Sequence, residues 1–420
     1  MEALDRSRRS VLGKALLLVS SLLVAFCLIE FVIVPRLLML APHRYQYRFS
    51  LLMQVASQHS KRELIPRDYV LLIGDSNAKG YGEWLRRADP EGQDPYHSAH
   101  VIRDRLQRDV LSYGKGGAGS IAGLLLFPAR WDHALARRGL EPPDTVAIYF
   151  YEGNDLNDNR RYLKNHFPGG PDAESVMDDA TLDAFLREEL ADYVGKKSAL
   201  DSTFSAAYVW KNVRGGIESW WRAGPQVETP EPGPAAPATE ALPSEKASAE
   251  LRTNRARIAG EVIALPEELQ SPALELTREE LARTLQVTRR SLALLIERYP
   301  SSEVILFRIP SPIASYEIVS DTVDVQSYEH RASVYPASRV ETYSTAIGDA
   351  LAGFAVELGI DYVDLRPAVR AATRELPIHG PVDWKHLNED GYTVLGEAVS
   401  SRIASGEGSG NGRSASEVTP

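Results

Sequence analysis

The sequence contains one cysteine, Cys27, and has no excess of positive charge. A single cysteine excludes a disulfide within the chain and a metal site built on paired cysteines. The 47 Lys and Arg residues are outnumbered by 57 Asp and Glu residues, which gives a formal net charge of −10. Nucleic-acid-binding proteins normally carry a basic face or stripe, so we expect no nucleic-acid partner.

One long apolar run lies near the N-terminus. Residues 15–34 read ALLLVSSLLVAFCLIEFVIV and contain one charge, Glu30. A run of roughly 20 apolar residues can cross a bilayer. Basic residues within 1–14 precede it, so the positive-inside rule predicts a cytoplasmic N-terminus and a single-pass protein of the cell membrane, with the rest of the chain on the periplasmic side. A cleaved signal peptide and a buried core helix are the alternatives.

Short apolar runs alternate with helical patterns after a juxtamembrane connector at 35–66. This alternation predicts an α/β protein whose parallel sheet is covered by helices on both faces. The runs that read as strands are Tyr69–Ile73, Val110–Tyr113, Thr145–Tyr151, Glu303–Ile309 and Asp361–Leu365.

The alternation stops between residues 172 and 299. This segment reads as helices together with a Pro- and Ala-rich stretch at 224–243, which predicts an extended or disordered chain. We therefore expect one α/β domain in two parts, 67–171 and 300–403, separated by a helical insertion. A Gly- and Ser-rich tail at 404–420 is predicted to be disordered.

Polar loops follow the predicted strands. In a parallel sheet, the loops at the carboxyl ends of the strands meet at one edge, where α/β proteins bind their ligands. The sequence thus predicts a functional site at that edge. Its four blocks are GDSN at Gly74–Asn77, GKGGAGS at Gly114–Ser120, GND at Gly153–Asp155 and DWKH at Asp383–His386.

These blocks contain the groups that nucleophilic acyl transfer requires. Ser76 would attack an acyl carbon, His386 would accept and return its proton, and Asp383 would orient the imidazole. Backbone N–H groups of Ser76 and of the glycine loop, with the side-chain amide of Asn154, would stabilise the oxyanion. Each residue alone could equally close a turn or cap a helix. Their joint order favours catalysis.

The four blocks, in this order, resemble those of the SGNH hydrolases, the GDSL-type esterases and lipases. The resemblance covers about half of the chain. It implies a flavodoxin-like three-layer α/β/α sandwich, the SGNH hydrolase fold, and ester hydrolysis or transfer without a metal or other cofactor. It also implies a Ser76, His386 and Asp383 triad, with Ser76, Gly117 and Asn154 forming the oxyanion hole.

Two positions depart from the family pattern. Glu152 precedes Gly153 and Asn154, whereas the family usually has Gly-x-Asn-Asp in this block. The glycine loop contains four glycines, so Gly114, Gly116 and Gly119 are alternatives to Gly117.

The resulting expectation is a membrane-anchored serine esterase that hydrolyses O-acyl esters, including acetyl esters, of envelope glycans or lipids. The triad does not distinguish it from an O-acyltransferase that uses the same acyl-enzyme, because only the group attacking the intermediate differs. A non-catalytic envelope scaffold that uses the insertion to hold partners is the third possibility. The sequence indicates no particular protein partner.

Overall fold

The computed structural model describes residues 2–40, 51–83, 96–136, 139–196, 254–329 and 331–410. The described chain divides into two compact units, one up to His59 and the other from Ser60 onward. The predicted Pro-rich stretch, 224–243, lies outside the described residues.

The N-terminal unit is helical. It contains α1 (Glu2–Leu28), a π-helical segment (Ile29–Ile33), α2 (Val34–Met39) and α3 (Leu51–Ala56). The continuous stretch Gly13–Met39 is long and apolar enough to cross a membrane, and it contains the predicted span 15–34. Most of its side chains are exposed, which is not the pattern of a buried core helix.

The second unit is built around a parallel sheet of five strands, in the spatial order β10 (Asp361–Asp364), β6 (Glu303–Ile309), β3 (Thr145–Tyr151), β1 (Tyr69–Ile73) and β2 (Asp109–Ser112). Counted among the parallel strands alone, the order is 2-1-3-4-5, as in flavodoxin-like sheets. The parallel α/β class predicted from the sequence is confirmed. The strands are β1 (Tyr69–Ile73), β2 (Asp109–Ser112), β3 (Thr145–Tyr151), β4 (Asn254–Ile258), β5 (Glu261–Leu265), β6 (Glu303–Ile309), β7 (Glu317–Ile318), β8 (Thr322–Asp324), β9 (Val334–Pro336) and β10 (Asp361–Asp364).

Helices surround this sheet. They are α4 (Ser76–Lys79), α5 (Ser98–Leu106), a π-helix (Ser120–Leu126), α6 (Phe127–Ala136), α7 (Asp155–His166), a 3₁₀-helix (Glu174–Met177), α8 (Asp179–Gly195), α9 (Arg278–Arg298), α10 (Pro312–Ser315), α11 (Ser338–Leu358), α12 (Arg366–Thr373) and α13 (Glu389–Gly410).

The central strands are buried on both faces. Val70 and Leu72 of β1 pack in one hydrophobic cluster with residues of α5 and α13. Successive side chains in a strand point to opposite faces. Leu71 and Ile73, which point to the other face, are also fully buried. Continuous burial explains why these strands appear in the sequence as unbroken apolar runs.

The segment 172–299, predicted to consist of helices and a Pro-rich stretch, also contains two strands. β4 and β5 form an antiparallel hairpin, and β7 pairs with the other edge of β4. Ala259 and Gly260 connect the two strands with φ angles of +50° and +81°, as the tight turns of hairpins require. Side chains along β4 alternate between buried and exposed, so the hairpin lies on the surface of the domain.

The segment 404–410, predicted as the start of a disordered tail, is helical. The last helix, α13, continues to Gly410, past Ala404 where the tail was placed. Leu395, Val399 and Ile403 bury one side of this helix, and adding residues to a formed helix requires no new nucleation. Residues 411–420 lie outside the described chain.

Candidate active site

The turn after β1 positions Ser76. Asp75 caps α4, and its Oδ1 accepts a hydrogen bond from the Asn77 amide at 2.8 Å. Ser76 is 5% exposed, and its Oγ donates to Asp75 Oδ2 at 3.2 Å. Burial raises the pKa of Asp75, whereas the Asn77 amide and the His386 imidazole lower it. His386 therefore lies close enough to this turn to affect the pKa of Asp75.

The loop before α13 brings two of the predicted residues into direct contact. His386 Nδ1 lies 2.8 Å from Oδ2 of Asp383. Asp383 is buried, and its Oδ1 accepts a hydrogen bond from the Lys385 amide at 3.0 Å. A carboxylate can only accept, so Nδ1 carries the hydrogen and Nε2 of the neutral ring is left as a proton acceptor. This is the state that a general base requires.

An aromatic side chain that the sequence analysis missed packs against this imidazole. The rings of Tyr81 and His386 meet edge to face, with centroids 5.8 Å apart. The Tyr81 carbonyl accepts a hydrogen bond from the Tyr392 hydroxyl at 2.5 Å, which joins α13 to the segment after α4. On its other side, the Tyr81 ring occupies the place where a Cβ on Gly116 would stand. Tyr81 thus fills the space between the glycine loop and His386.

The glycine loop bridges the ends of two neighbouring strands. The Lys115 amide donates to the carbonyl of Gly74 at 3.0 Å, after β1. At the other end, a Cβ on Gly119 would stand 2.5 Å from the carbonyl oxygen of Asp155, after β3. Gly117 has a φ of +65° and, alone among the four glycines of this loop, faces open space. A side chain at Gly117 would therefore meet no neighbour, whereas the other three glycines are packed against other residues.

The loop after β3 holds Asn154. Asp155 Oδ2 accepts a hydrogen bond from the Tyr151 amide at 3.0 Å, and Asn154 is buried with no hydrogen-bond partner for its Oδ1. Gly153 is required here, because a Cβ would fall 2.4 Å from the Tyr151 ring. The Tyr151 hydroxyl donates to Gln270 Oε1 at 2.7 Å and lies 3.3 Å from the Lys385 carbonyl. Tyr151 therefore joins this loop to the segment that bears His386.

The unusual Glu152 has a structural explanation. Its carboxylate and the guanidinium of Arg308 on β6 are both fully buried, with Oε2 and a terminal guanidinium nitrogen 2.5 Å apart. The amide and hydroxyl of Ser311 donate to Glu152 Oε1 at 3.0 and 3.1 Å. On its other side, Arg308 contacts Asp364 Oδ2 at 3.1 Å. The pair fixes the residue two positions before Asn154 to the neighbouring strand.

The structure brings the predicted residues together without completing a triad of hydrogen bonds. Asp383 and His386 are hydrogen-bonded, and Ser76 follows Asp75, whose pKa the His386 imidazole lowers. Among the described residues, Ser76 Oγ bonds to Asp75 and not to His386. The switch point of a sheet with this strand order lies between β1 and β3, and Ser76 and Asn154 follow those two strands.

The side chains of His379 and Trp384 form hydrogen bonds in the loop around Asp383. His379 is buried, its Nδ1 lies 3.1 Å from the Tyr316 hydroxyl, and burial lowers the pKa of His379 to about 3. Trp384 Nε1 donates to the Pro381 carbonyl at 3.1 Å. Within the described ranges, no group of three or more His, Cys, Asp and Glu side chains is placed to hold a metal ion.

Glu275 is a buried carboxyl group that its surroundings stabilise poorly. It is 7% exposed, and neither carboxyl oxygen has a hydrogen-bond partner of good geometry. Burial raises the pKa of Glu275 from 4.5 to about 7. The folded state therefore binds this proton more tightly than the unfolded state, and stability falls as the pH rises from about 4.5 through 7.

Replacing Glu275 by glutamine should therefore stabilise the protein increasingly as the pH rises above about 4.5. At pH 8 the variant should unfold with a free energy about 2–3 kcal/mol above that of the wild type, and near pH 4 the difference should vanish. Urea unfolding at the two pH values measures this. The exposed Glu279→Gln, four residues along the chain, is the matched control and should not stabilise the protein at pH 8. Equal effects at both pH values would contradict this explanation.

Comparison with known proteins finds no matching family model and no matching curated relative. Among solved structures, the chain is similar to Est24, a carbohydrate acetylesterase from Sinorhizobium meliloti, at 12% identity and a TM-score of 0.30, over 81% of this chain and 99% of that one. A second solved structure gives 9% identity and a TM-score of 0.28 over 81% and 98%. The chemistry of the chain's own residues therefore has to carry any functional assignment.

Proposed function

We propose that this chain is a serine ester hydrolase of the SGNH type, with Ser76 as nucleophile, His386 as general base and Asp383 as its orienting carboxylate. One observation supports this above all others. The 2.8 Å contact between His386 and Asp383 forms beside the Asp75–Ser76 turn, at the switch point of a parallel sheet. A histidine oriented by a buried carboxylate next to a serine is the arrangement that activates a hydroxyl.

The first half of the reaction forms an acyl-enzyme. Ser76 Oγ turns from Asp75 towards His386 by rotation about its Cα–Cβ bond and attacks the acyl carbon, while Nε2 takes the hydroxyl proton. The backbone N–H groups of Ser76 and Gly117 and the amide of Asn154 stabilise the resulting oxyanion. Collapse of the intermediate breaks the bond to the alcohol, which leaves with the proton from His386.

The second half repeats these steps with water. His386 Nε2 takes a proton from water as its oxygen attacks the acyl carbon, and the proton then returns to Ser76 Oγ as the carboxylic acid leaves. Attack by a sugar hydroxyl in place of water would give transfer instead of hydrolysis. Both routes use the same residues.

The apolar helix at Gly13–Met39 would hold the enzyme in the cell membrane, with the α/β unit on the periplasmic side. An enzyme anchored there meets the O-acyl esters of envelope glycans and lipids. We therefore propose such an ester as the substrate.

Hydrolysis of 4-nitrophenyl esters of increasing chain length by the full-length protein in detergent tests this proposal. We expect hydrolysis of the acetate ester, covalent labelling of Ser76 by a fluorophosphonate, and loss of both in Ser76→Ala by about 10³-fold or more. Ser405→Ala changes an exposed serine on α13 and serves as the matched control.

The products decide between hydrolysis and transfer. Free carboxylic acid supports the hydrolase, whereas a newly acylated sugar in the presence of glycan acceptors favours the transferase. A folded wild-type protein that hydrolyses none of these esters and is not labelled would overturn the serine mechanism.

A further inference from the structure

A wide cleft opens on the surface of the α/β unit. Its volume is about 520 Å³, within the roughly 300–1,000 Å³ of sites that bind small molecules. It forms where β4 and β7 meet α10, the start of α11 and the end of α12. Ser76, Asn154 and His386 do not line it. A ligand bound in this cleft would therefore occupy a site of its own.

The floor of the cleft is apolar. Ile313, Tyr316 and Val340 line it, and each is at most 4% exposed. The Tyr316 hydroxyl is already engaged, because it accepts hydrogen bonds from the amides of Ile378 and His379, both at 3.1 Å. The floor thus offers mainly carbon surface to a ligand.

The rim of the cleft is charged, with an excess of positive charge. Three arginines line the cleft, Arg257, Arg370 and Arg374, together with two carboxylates, Glu317 and Glu341. The whole chain, in contrast, has a formal net charge of −10. The cleft therefore favours a ligand that carries negative charge.

Two of these arginines are partly engaged within the protein. Arg370 donates to the Ala314 carbonyl at 2.9 Å and to Glu341 Oε2 at 2.7 Å. Arg257 Nε lies 3.3 Å from Glu317 Oε1, and both of these side chains are about half exposed. A guanidinium has several more N–H donors than these contacts use, so both arginines can also bind a ligand.

Arg374 supplies a charge without a counterion. Its side chain is exposed, and within the described chain its guanidinium forms no ion pair and no hydrogen bond. Its backbone is fixed, because its carbonyl accepts a hydrogen bond from the Ala259 amide in the hairpin turn at 2.8 Å. An anion bound by Arg374 would therefore replace water and break no internal contact.

The two glutamates restrict the kind of anion that suits the cleft. A phosphate group carries about two negative charges and would be repelled by Glu317 and Glu341. A carboxylate carries a single charge and matches the planar fork of a guanidinium. Hydroxyl groups can donate to the glutamates, and the C–H face of a sugar ring can cover the apolar floor. A sugar acid combines these three features.

We infer that this cleft binds a carboxylate-bearing sugar, with Arg374 holding the carboxylate and the ring lying on Ile313 and Tyr316. The site does not depend on the proposed esterase reaction. Tyr316 also holds the loop that leads to Asp383, so a glycan in the cleft would lie beside a loop of the candidate active site.

Binding of two matched glycosides to the full-length protein in detergent tests this inference. Methyl glucuronopyranoside differs from methyl glucopyranoside only in the carboxylate that replaces the hydroxymethyl group. In saturation-transfer NMR titrations, the glucuronoside should bind at least about 10-fold more tightly. Arg374→Ala should lower its affinity by about 10-fold, and Arg374→Lys should restore part of the loss. The control Arg105→Ala removes an exposed arginine of α5 that does not line the cleft, and it should bind as the wild type does.

Glu317→Gln should have the opposite effect. This variant removes a carboxylate from the rim but keeps a hydrogen-bond acceptor there. Because the net positive charge of the cleft increases, the affinity for the glucuronoside should rise by about threefold. An unchanged or lowered affinity would contradict the electrostatic part of the inference.

Equal affinity for the two glycosides, or wild-type affinity in Arg374→Ala, would overturn the inference. Acetate that binds as tightly as the glucuronoside would also overturn it, because the ring would then contribute nothing. Tighter binding of the 6-phosphate of methyl glucopyranoside would do the same, because the ligand would then be a sugar phosphate. None of these probes is an ester. Binding by a protein that hydrolyses no ester would therefore support the cleft and remove the proposed function alone.

Discussion

Replacing His386 by alanine should lower kcat for 4-nitrophenyl acetate by about 10³-fold, because Ser76 then has no group to take its proton. Asp383→Asn should produce a loss of similar size. An asparagine that presents its NH₂ to Nδ1 favours the tautomer with the hydrogen on Nε2, and that ring cannot act as a base towards Ser76. Steady-state kinetics of the full-length protein, with folding checked by circular dichroism, measures both.

The losses should not add. The two groups act as a unit with the serine, so a variant lacking both His386 and Ser76 should be about as inactive as either single variant. Asp390→Asn, an exposed carboxylate in the first turn of α13, is the matched control and should retain activity. If folded His386→Ala kept kcat within a few-fold of the wild type, His386 would not be the base, and the proposed mechanism would fall with it.

The central sheet could be predicted closely from the sequence. The bounds of β1, β3 and β6 agree with prediction to the residue, β2 is shifted by one residue towards the N-terminus, and β10 ends one residue earlier than predicted. These strands are buried on both faces, so each appears as an uninterrupted apolar run between polar loops. Because the strands are parallel, the loops that follow their carboxyl ends lie along one edge of the sheet.

The surface hairpin of β4 and β5 was missed for the opposite reason. Its outward side chains include Arg255 and Arg257, so the run is neither apolar nor long. The available signal was the alternation of these arginines with Ala256 and Ile258, followed by a glycine at the turn. Half-buried strands next to a Pro-rich stretch give too weak a pattern to outweigh a helical interpretation.

Residues that support the candidate site were beyond the reach of sequence patterns. Tyr81 packs against His386, and the Tyr151 hydroxyl lies 3.3 Å from the Lys385 carbonyl, so both contacts join parts of the chain that are far apart in the sequence. The only sign of these contacts in the sequence is a glycine opposite each ring, Gly116 for Tyr81 and Gly153 for Tyr151. The reason for these glycines is clear only when the packing is known.

The same limitation applied to Glu152, whose partner Arg308 lies on another strand. Both are fully buried, so removing one leaves an uncompensated charge in the interior. Arg308→Met should therefore lower the free energy of unfolding by about 3–5 kcal/mol. Urea unfolding gives this value. The matched control is Arg187→Met, which removes a half-exposed arginine from ion pairs with Asp183 and Glu297 and should cost about 1 kcal/mol or less.

A double variant reveals what the pair contributes beyond stability. Glu152→Met combined with Arg308→Met removes both charges and should recover much of the loss in stability, because paired burial is about neutral relative to apolar residues of similar size. Activity should not recover in parallel, since the hydrogen bonds from Ser311 that hold the segment before Asn154 are lost with the carboxylate. A double variant that regained both stability and kcat would show that the pair fills space without positioning Asn154. Recovered stability with a lowered kcat and an unchanged KM would assign it to holding the oxyanion donor in place.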